Sequence, residues 1–194
     1  MKDQYSLAAR AALLKDVLER TSITSRDGLA HPLEGGMGEI CNMMLRVRIA
    51  GRSLFLIGNG GSAGIASHAA TDFFNVCKLR ALTLHESSLM TCMANDFGYE
   101  NAFARMLDQM AQPGDMLIAI SSSGNSMNIR NGVSHAHARD VFVVTLSGFA
   151  ADNALRGLGD LNVWLESSDY GIVEIGHQAV LHNLSDRFGS GLVG

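Results

Sequence analysis

Four side chains stand out for the chemistry they could do together: His68, Asp72, Glu174 and His182. His68 and Asp72 are four residues apart, so on a helix they face the same way. Glu174 and His182 are eight apart. On a helix that leaves them offset by ~80° over two turns, and they can converge on one ligand. His177 lies between them. Two imidazoles and two carboxylates suit Zn²⁺ or another divalent ion of borderline ligand preference. The same groups suit proton transfer between a base and an acid. Each residue alone also reads as an ordinary hydrogen-bonded or solvated side chain of an amphipathic helix, so spacing leaves these readings open.

A second kind of chemistry is offered by two Gly/Ser loops. Gly58-Asn59-Gly60-Gly61-Ser62 follows the apolar run Leu54-Phe55-Leu56-Ile57 and leads into the segment that carries His68 and Asp72. Glycine adopts positive φ cheaply and leaves backbone N–H groups free to surround an anion. The helix that follows adds its positive N-terminal end. Ser121-Ser122-Ser123-Gly124-Asn125-Ser126 repeats the arrangement after the apolar run Met116–Ile120 and offers four hydroxyls. Neutral donors suit a phosphate monoester that must also be released. Capping and turn formation are the plain alternative for such residues. Neither loop carries a lysine in the Walker position, which disfavours nucleotide hydrolysis, and Ala63 stands where the third glycine of G-x-G-x-x-G would be, which weakens a dinucleotide reading.

The elements that must position these groups follow from periodicity. Apolar runs at 53–57, 81–84, 116–120, 141–146 and 161–165 read as strands, and the stretches between them read mostly as helices, with one at 150–155 and a closing one from Ile172 to about Phe188. A break is expected at Asn95-Asp96-Phe97-Gly98, and 21–35 reads as a polar loop between two N-terminal helices, 4–20 and 37–49. The expected fold is therefore α/β: a three-layer αβα sandwich around a five-stranded parallel sheet in the flavodoxin-like order 2-1-3-4-5, with residues 1–50 as a helical extension and 51–194 as the core of one domain. In that order the first and third strands are neighbours and form the topological switch point, which sets the two Gly/Ser loops side by side.

The composition bounds the partners. A net charge of −4 gives no general electrostatic drive toward nucleic acid or membranes. No apolar run approaches ~20 residues, so no membrane span is expected. Three cysteines without a CxxC pair argue for reduced thiols in a cytoplasmic protein.

The chain resembles the sugar isomerase (SIS) domain family and, within it, the phosphoheptose isomerase group. The resemblance is carried by GNGGS at 58–62, His68-x-x-x-Asp72, ANDFGY at 94–99, PGDMLIAISSSGNS at 113–126 and the closing helix with Glu174, His177 and His182. It implies an isomerase converting sedoheptulose 7-phosphate to D-glycero-D-manno-heptose 7-phosphate, for lipopolysaccharide or capsule heptose synthesis. It also implies a homotetramer with active sites near subunit boundaries. By that resemblance Ser121, Ser122, Ser123 and Ser126 would hold the sugar phosphate, and Asn59, Gly60, Gly61 and Ser62 would line the first loop. Asn95, Asp96 and Glu174 would also meet substrate. His68, Asp72, Glu174 and His182 would hold Zn²⁺ or another divalent metal, with Asp72 as base and His182 as acid.

Three positions depart from that group's pattern. Asp72 stands for its usual glutamate, Glu174 for its usual glutamine, and Gly171 for a common aspartate. The first two keep the capacity to ligate metal and make the set more anionic. Gly171 and Glu174 motivate a second reading, an isomerase for a different sugar phosphate. A third reading is a non-catalytic SIS module that binds a phosphosugar or a protein, like the DnaA-initiator-associating tetramers. In those relatives the catalytic side chains tend to be lost, whereas here all four positions can still ligate metal or move a proton.

Overall fold

In the computed structural model, which describes residues 3–191, Leu54-Phe55-Leu56-Ile57 is buried along its whole length. The strands are β1 (Ser22–Ser25), β2 (Ala30–His31), β3 (Ser53–Ile57), β4 (Arg80–Thr83), β5 (Met116–Ser121), β6 (Phe142–Ser147) and β7 (Leu161–Trp164). The helices are α1 (Leu7–Glu19), α2 (Leu33–Ile49), α3 (Gly61–Asn75), α4 (Ser87–Phe97), α5 (Ala102–Met110), α6 (Met127–His137) and α7 (Tyr170–Gly189).

The sheet runs in the order β2-β1-β7-β6-β5-β3-β4. Its parallel part, β4-β3-β5-β6-β7, has the expected flavodoxin-like order. Side chains alternate across it with the period of two that a pleat imposes. Leu54, Leu56, Met116, Ile118 and Ile120 face α1, α2, α3 and α7, in one cluster with Ile40, Phe73 and Leu184. Phe55, Ile57, Leu117 and Ala119 face the opposite layer, in a cluster with Phe103, Leu107, Ile129 and Val133 of α5 and α6. Burying each such side chain contributes about 1.5–3 kcal/mol, and this is what fixes α3 and α6 on opposite faces of the switch point.

The sheet has seven strands, not five. The extra pair is the hairpin β1–β2, which lies in the stretch read from sequence as a loop and adds antiparallel to the β7 edge. Ile23 is the reason. It is buried at 1% exposure, and α2 closes on it so tightly that a Cβ at Gly36 would lie 2.8 Å from its side chain. The Arg26-Asp27 turn, closed by Gly28 N donating to the Ser25 carbonyl and followed by Gly28 at φ +85°, reverses the chain.

The same packing lets α2 begin at Leu33, directly after Pro32, and not at residue 37. The break expected at 95–98 reduces to Gly98 alone, at φ +82°, because α4 continues through Phe97. The helix expected at 150–155 does not form. The Asn153 side chain donates to the carbonyls of Gly148 and Ala150 and to the Ser147 hydroxyl, which locks a succession of turns. All three cysteines are free; Cys41 and Cys77 are buried and Cys92 is exposed. Among the described residues no helix is long and apolar enough to cross a membrane.

Candidate active site

The switch point brings the two Gly/Ser loops together. β3 and β5 are hydrogen-bonded neighbours with Ile57 opposite Ala119, so the loops leave the sheet at the same level. Between them lies a cavity of about 280 Å³ lined by Gly60, Gly61, Ser62, Ser121, Ser122, Ser123 and Ser126, with Asn59, Ile120, Tyr170 and Glu174 completing its wall.

The local chemistry of the cavity suits an anion. Gly60 takes φ +53° and caps α3 with no side chain, so the first N–H groups of that helix are left for a ligand. Ser126 caps α6 without spending its hydroxyl on the helix; its Oγ lies 3.2 Å from Ser121 Oγ. Ser122 Oγ is buried and has no hydrogen-bond partner. A buried hydroxyl without a partner costs free energy that a bound acceptor would recover. Gly124 holds φ +67°, and a Cβ there would fall 1.8 Å from Asn153 Oδ1, so the second loop tolerates no side chain at that point.

Asn59 is tied down. Its Nδ2 donates to Asn128 Oδ1 at 2.9 Å, its Oδ1 accepts from Asn128 Nδ2 at 2.9 Å, and the Tyr99 hydroxyl donates to the same Oδ1 at 2.8 Å. This reciprocal amide pair cross-links the first loop to α6. Sequence reading missed Asn128 and Tyr99, because nothing in their spacing shows that two distant segments meet there.

A second centre lies further along the same pair of helices. α3 and α7 run side by side, with Gly61 against Glu174 at one end and His68 against His182 about two turns on. His68 Nε2 lies 3.0 Å from His182 Nε2. Asp72 Oδ2 lies 3.5 Å from His68 Nε2 and 3.2 Å from His182 Nδ1. One donor atom from each residue falls within 4.8 Å of the others.

Asp72 Oδ2 is buried with no hydrogen-bond donor. An orphaned carboxylate oxygen facing two imidazoles is the environment a divalent cation satisfies. Three N/O ligands leave a coordination position free for water or substrate. Glu174 is not part of this trio. Its carboxylate stands over the start of α3, where a Cβ on Gly61 would lie 2.4 Å from Oε1, so it belongs to the serine cavity.

The remaining predicted residues divide. Asn95 and Asp96 sit on the exposed last turn of α4, bonded to each other and outside the cavity lining. His177 is fully buried. Its Nε2 lies 3.2 Å from the Ser147 carbonyl, and burial pushes its pKa down to about 4, so it is a neutral part of the core. Gly171 lies beside the ion pair of Arg10 and Asp169. The nearest carboxylate to that departure, Asp169, is thus committed to α1 and to the N-terminus of α7, where it accepts from Ile172 N.

Comparison with known proteins agrees with this geometry. Residues 14–148 match the family model described as the SIS domain. The chain is 33% identical over 175 residues to a phosphoheptose isomerase of Shewanella denitrificans, covering 86% of this chain and 89% of that one. It is 32% identical over 183 residues to a phosphoheptose isomerase of Thiobacillus denitrificans, covering 90% and 91%. Among solved structures, phosphoheptose isomerase from Neisseria gonorrhoeae superposes with a TM-score of 0.81 at 25% identity, over 96% of this chain and 98% of that one. With its serine cavity at the switch point and its His/Asp cluster on α3 and α7, the chain belongs to the SIS-domain family, in the group of the phosphoheptose isomerases.

Proposed function

We propose that this protein is an aldose–ketose isomerase of phosphorylated sugars, converting sedoheptulose 7-phosphate to D-glycero-D-manno-heptose 7-phosphate. The observation that carries the reading is the pairing of two centres on one pair of helices. From Gly61 to His68 the rise is about 10 Å, and seven residues return to nearly the same face. A phosphate seated at the α3 start and a carbonyl beside Asp72 therefore belong to one elongated molecule, a multi-carbon phosphate ester. The phosphoheptose isomerases matched over most of the chain support the heptose in particular.

In this reading the serine hydroxyls and the two helix N-termini hold the phosphate and set the sugar's register. Asp72 removes the proton from the carbon bearing the hydroxyl next to the carbonyl, giving an enediolate with its negative charge on the former carbonyl oxygen. The proton of that hydroxyl passes to the carbonyl oxygen as His182 delivers a proton to the former carbonyl carbon, and the aldose results. His68, Asp72 and His182 would hold a divalent cation, zinc by ligand preference. Such a cation supplies electrostatic stabilisation of negative charge developing on substrate oxygen. Asn95 and Asp96, at the end of α4 beside Tyr99, are assigned to the sugar chain by the resemblance alone. A cytoplasmic homotetramer serving heptose synthesis completes the proposal on the same ground.

The test is an isomerisation assay across heptose, hexose and pentose phosphates, with and without chelator. Turnover of sedoheptulose 7-phosphate that is lost in Asp72→Asn and in His182→Ala, with phosphate-ester binding retained, is the expected result. Full activity in either variant overturns the assignment. Turnover confined to a hexose or pentose phosphate moves the substrate. No turnover on any of them, together with a stably bound protein partner, points to the binding module instead.

A further inference from the structure

His85 lies just beyond β4 and packs edge-on against Phe103, their ring centroids 5.7 Å apart. Its Nε2 lies 3.3 Å from the backbone nitrogen of Gly58, the first residue of the GNGGS loop, and accepts that N–H. The acceptor role fixes the tautomer: Nε2 must carry a lone pair, so the proton sits on Nδ1, which is buried and has no partner. The ring therefore has one polar contact, and that contact is with the loop.

Gly58 is a sensitive place to hold. A Cβ there would lie 2.6 Å from the carbonyl carbon and oxygen of Ser62, so the loop's first residue is wedged against the first turn of α3. A small displacement at Gly58 is passed directly to the N–H groups that open the anion cavity. We propose that His85 is a positioning residue for the first glycine loop. Its unprotonated Nε2 anchors Gly58 and keeps the α3 N-terminus aimed at the substrate's phosphate, and protonation of the ring releases that anchor. The inference rests on the reading of this cavity as the phosphate site.

Protonation would set an N–H against an N–H in a half-buried place, turning an attraction into a repulsion. Burial already pushes the imidazolium form of His85 to lower pH than an exposed histidine, so the anchor is intact at neutral pH and fails only on acidification. No charged side chain contributes to that shift. The adjacent carboxylate, Glu86, is turned away to accept from Ser88 N and Leu89 N at the start of α4. Phe103 is the aromatic neighbour from α5.

The test uses the full-length protein and three forms: wild type, His85→Gln, which offers an uncharged acceptor at every pH, and His85→Phe, which keeps the aromatic packing without an acceptor. The ligand's own phosphate ionises near pH 6. That effect is common to all forms and cancels in ratios. The KM of wild type for sedoheptulose 7-phosphate relative to His85→Gln should be close to one at pH 8 and rise about threefold or more toward pH 5.5, with kcat in step between the two. His85→Phe should raise KM roughly tenfold at pH 8, the scale of one buried N–H left without an acceptor.

A ratio that stays flat with pH, or a His85→Phe protein that binds as tightly as wild type, overturns the proposal. A ligand-free measurement separates this from failure of the functional reading. The backbone amide resonance of Gly58 should follow a histidine titration in wild type and lose it in His85→Gln. An unchanged Gly58 resonance across that pH range sinks the anchor whatever the substrate is.

Discussion

His68 Nε2 and His182 Nε2 approach to 3.0 Å from helices that the chain reaches 114 residues apart. At that distance one nitrogen donates its N–H to the other's lone pair, or both turn lone pairs on a shared cation. With Asp72 Oδ2 beside them, the arrangement is that of a ligand set. Protein stripped with chelator should regain thermal stability when Zn²⁺ is added, by about 2.7 kcal/mol at a hundredfold excess over Kd. His68→Ala and His182→Ala should each lose most of that gain. An equal metal-induced rise in melting temperature in both variants would count against the site.

The buried His177 makes stability depend on pH. Its folded pKa of about 4 lies below the ordinary value of 6.5, so the unfolded chain takes up the proton first. Its neutral form is fully tolerated above pH 6.5, and stability falls as pH drops from there toward 4, by up to roughly 3 kcal/mol for this group alone. His177→Met removes the titration while the Ser147 carbonyl keeps its bond from Leu165 N. Urea midpoints measured between pH 7 and 4 should slope less steeply in the variant; parallel slopes would mean that His177 is not the group responsible.

Two glycines of the first loop should separate folding from binding. At Gly58 a methyl group meets the backbone of Ser62, which cannot yield, so Gly58→Ala should destabilise by about 1–3 kcal/mol. At Gly61 the methyl meets only the Glu174 carboxylate, the end of a flexible side chain. Gly61→Ala should therefore fold nearly as well as wild type but bind phosphate esters several-fold more weakly. Melting curves and calorimetric titration on both proteins check this, and the reverse ordering would contradict the packing described.

The Arg10–Asp169 pair, bonded at 2.7 and 2.8 Å, ties α1 to the N-terminus of α7. The Arg10 guanidinium holds the Asp169 carboxyl down to about 2. Asp169 also caps α7 at Ile172 N, so Asp169→Ala should cost about 1 kcal/mol as a lost cap. The folded pKa is depressed, so this contribution is present above about pH 4 and disappears as pH falls toward 2. Hydrogen exchange in α1 should accelerate in the variant; unchanged protection there would show that α1 is held by its apolar contacts alone.

Much of the site was legible because its logic is local. The apolar runs at 53–57 and 116–120 and the glycine loops behind them announce strand, turn and helix, and the topology of parallel sheets then brings the loops together. His68 and Asp72 could be paired because four residues of helix give one face. What escaped was decided by tertiary contact. Ile23 makes a strand only because α2 covers it, and Asn153 replaces a helix with turns through bonds to residues already folded around it. Helical spacing placed Glu174 and His182 two turns apart on one side of α7, but it could not say that the loop start would claim the first and the histidine cluster the second. Asn128 and His85 carried no pattern at all, and Tyr99 lay in the ANDFGY motif without any sign of its partner, since each matters through a contact remote in the chain.

The meeting of α3 with α7 sets the timing of the site during synthesis. Strands β3 and β5 and both glycine loops emerge with more than a third of the chain still to come. His68 must then wait for His182, a delay of roughly ten seconds at ordinary elongation rates. A nascent chain can thus carry both glycine loops well before the His68, Asp72 and His182 cluster is complete, so that cluster exists only in the finished fold.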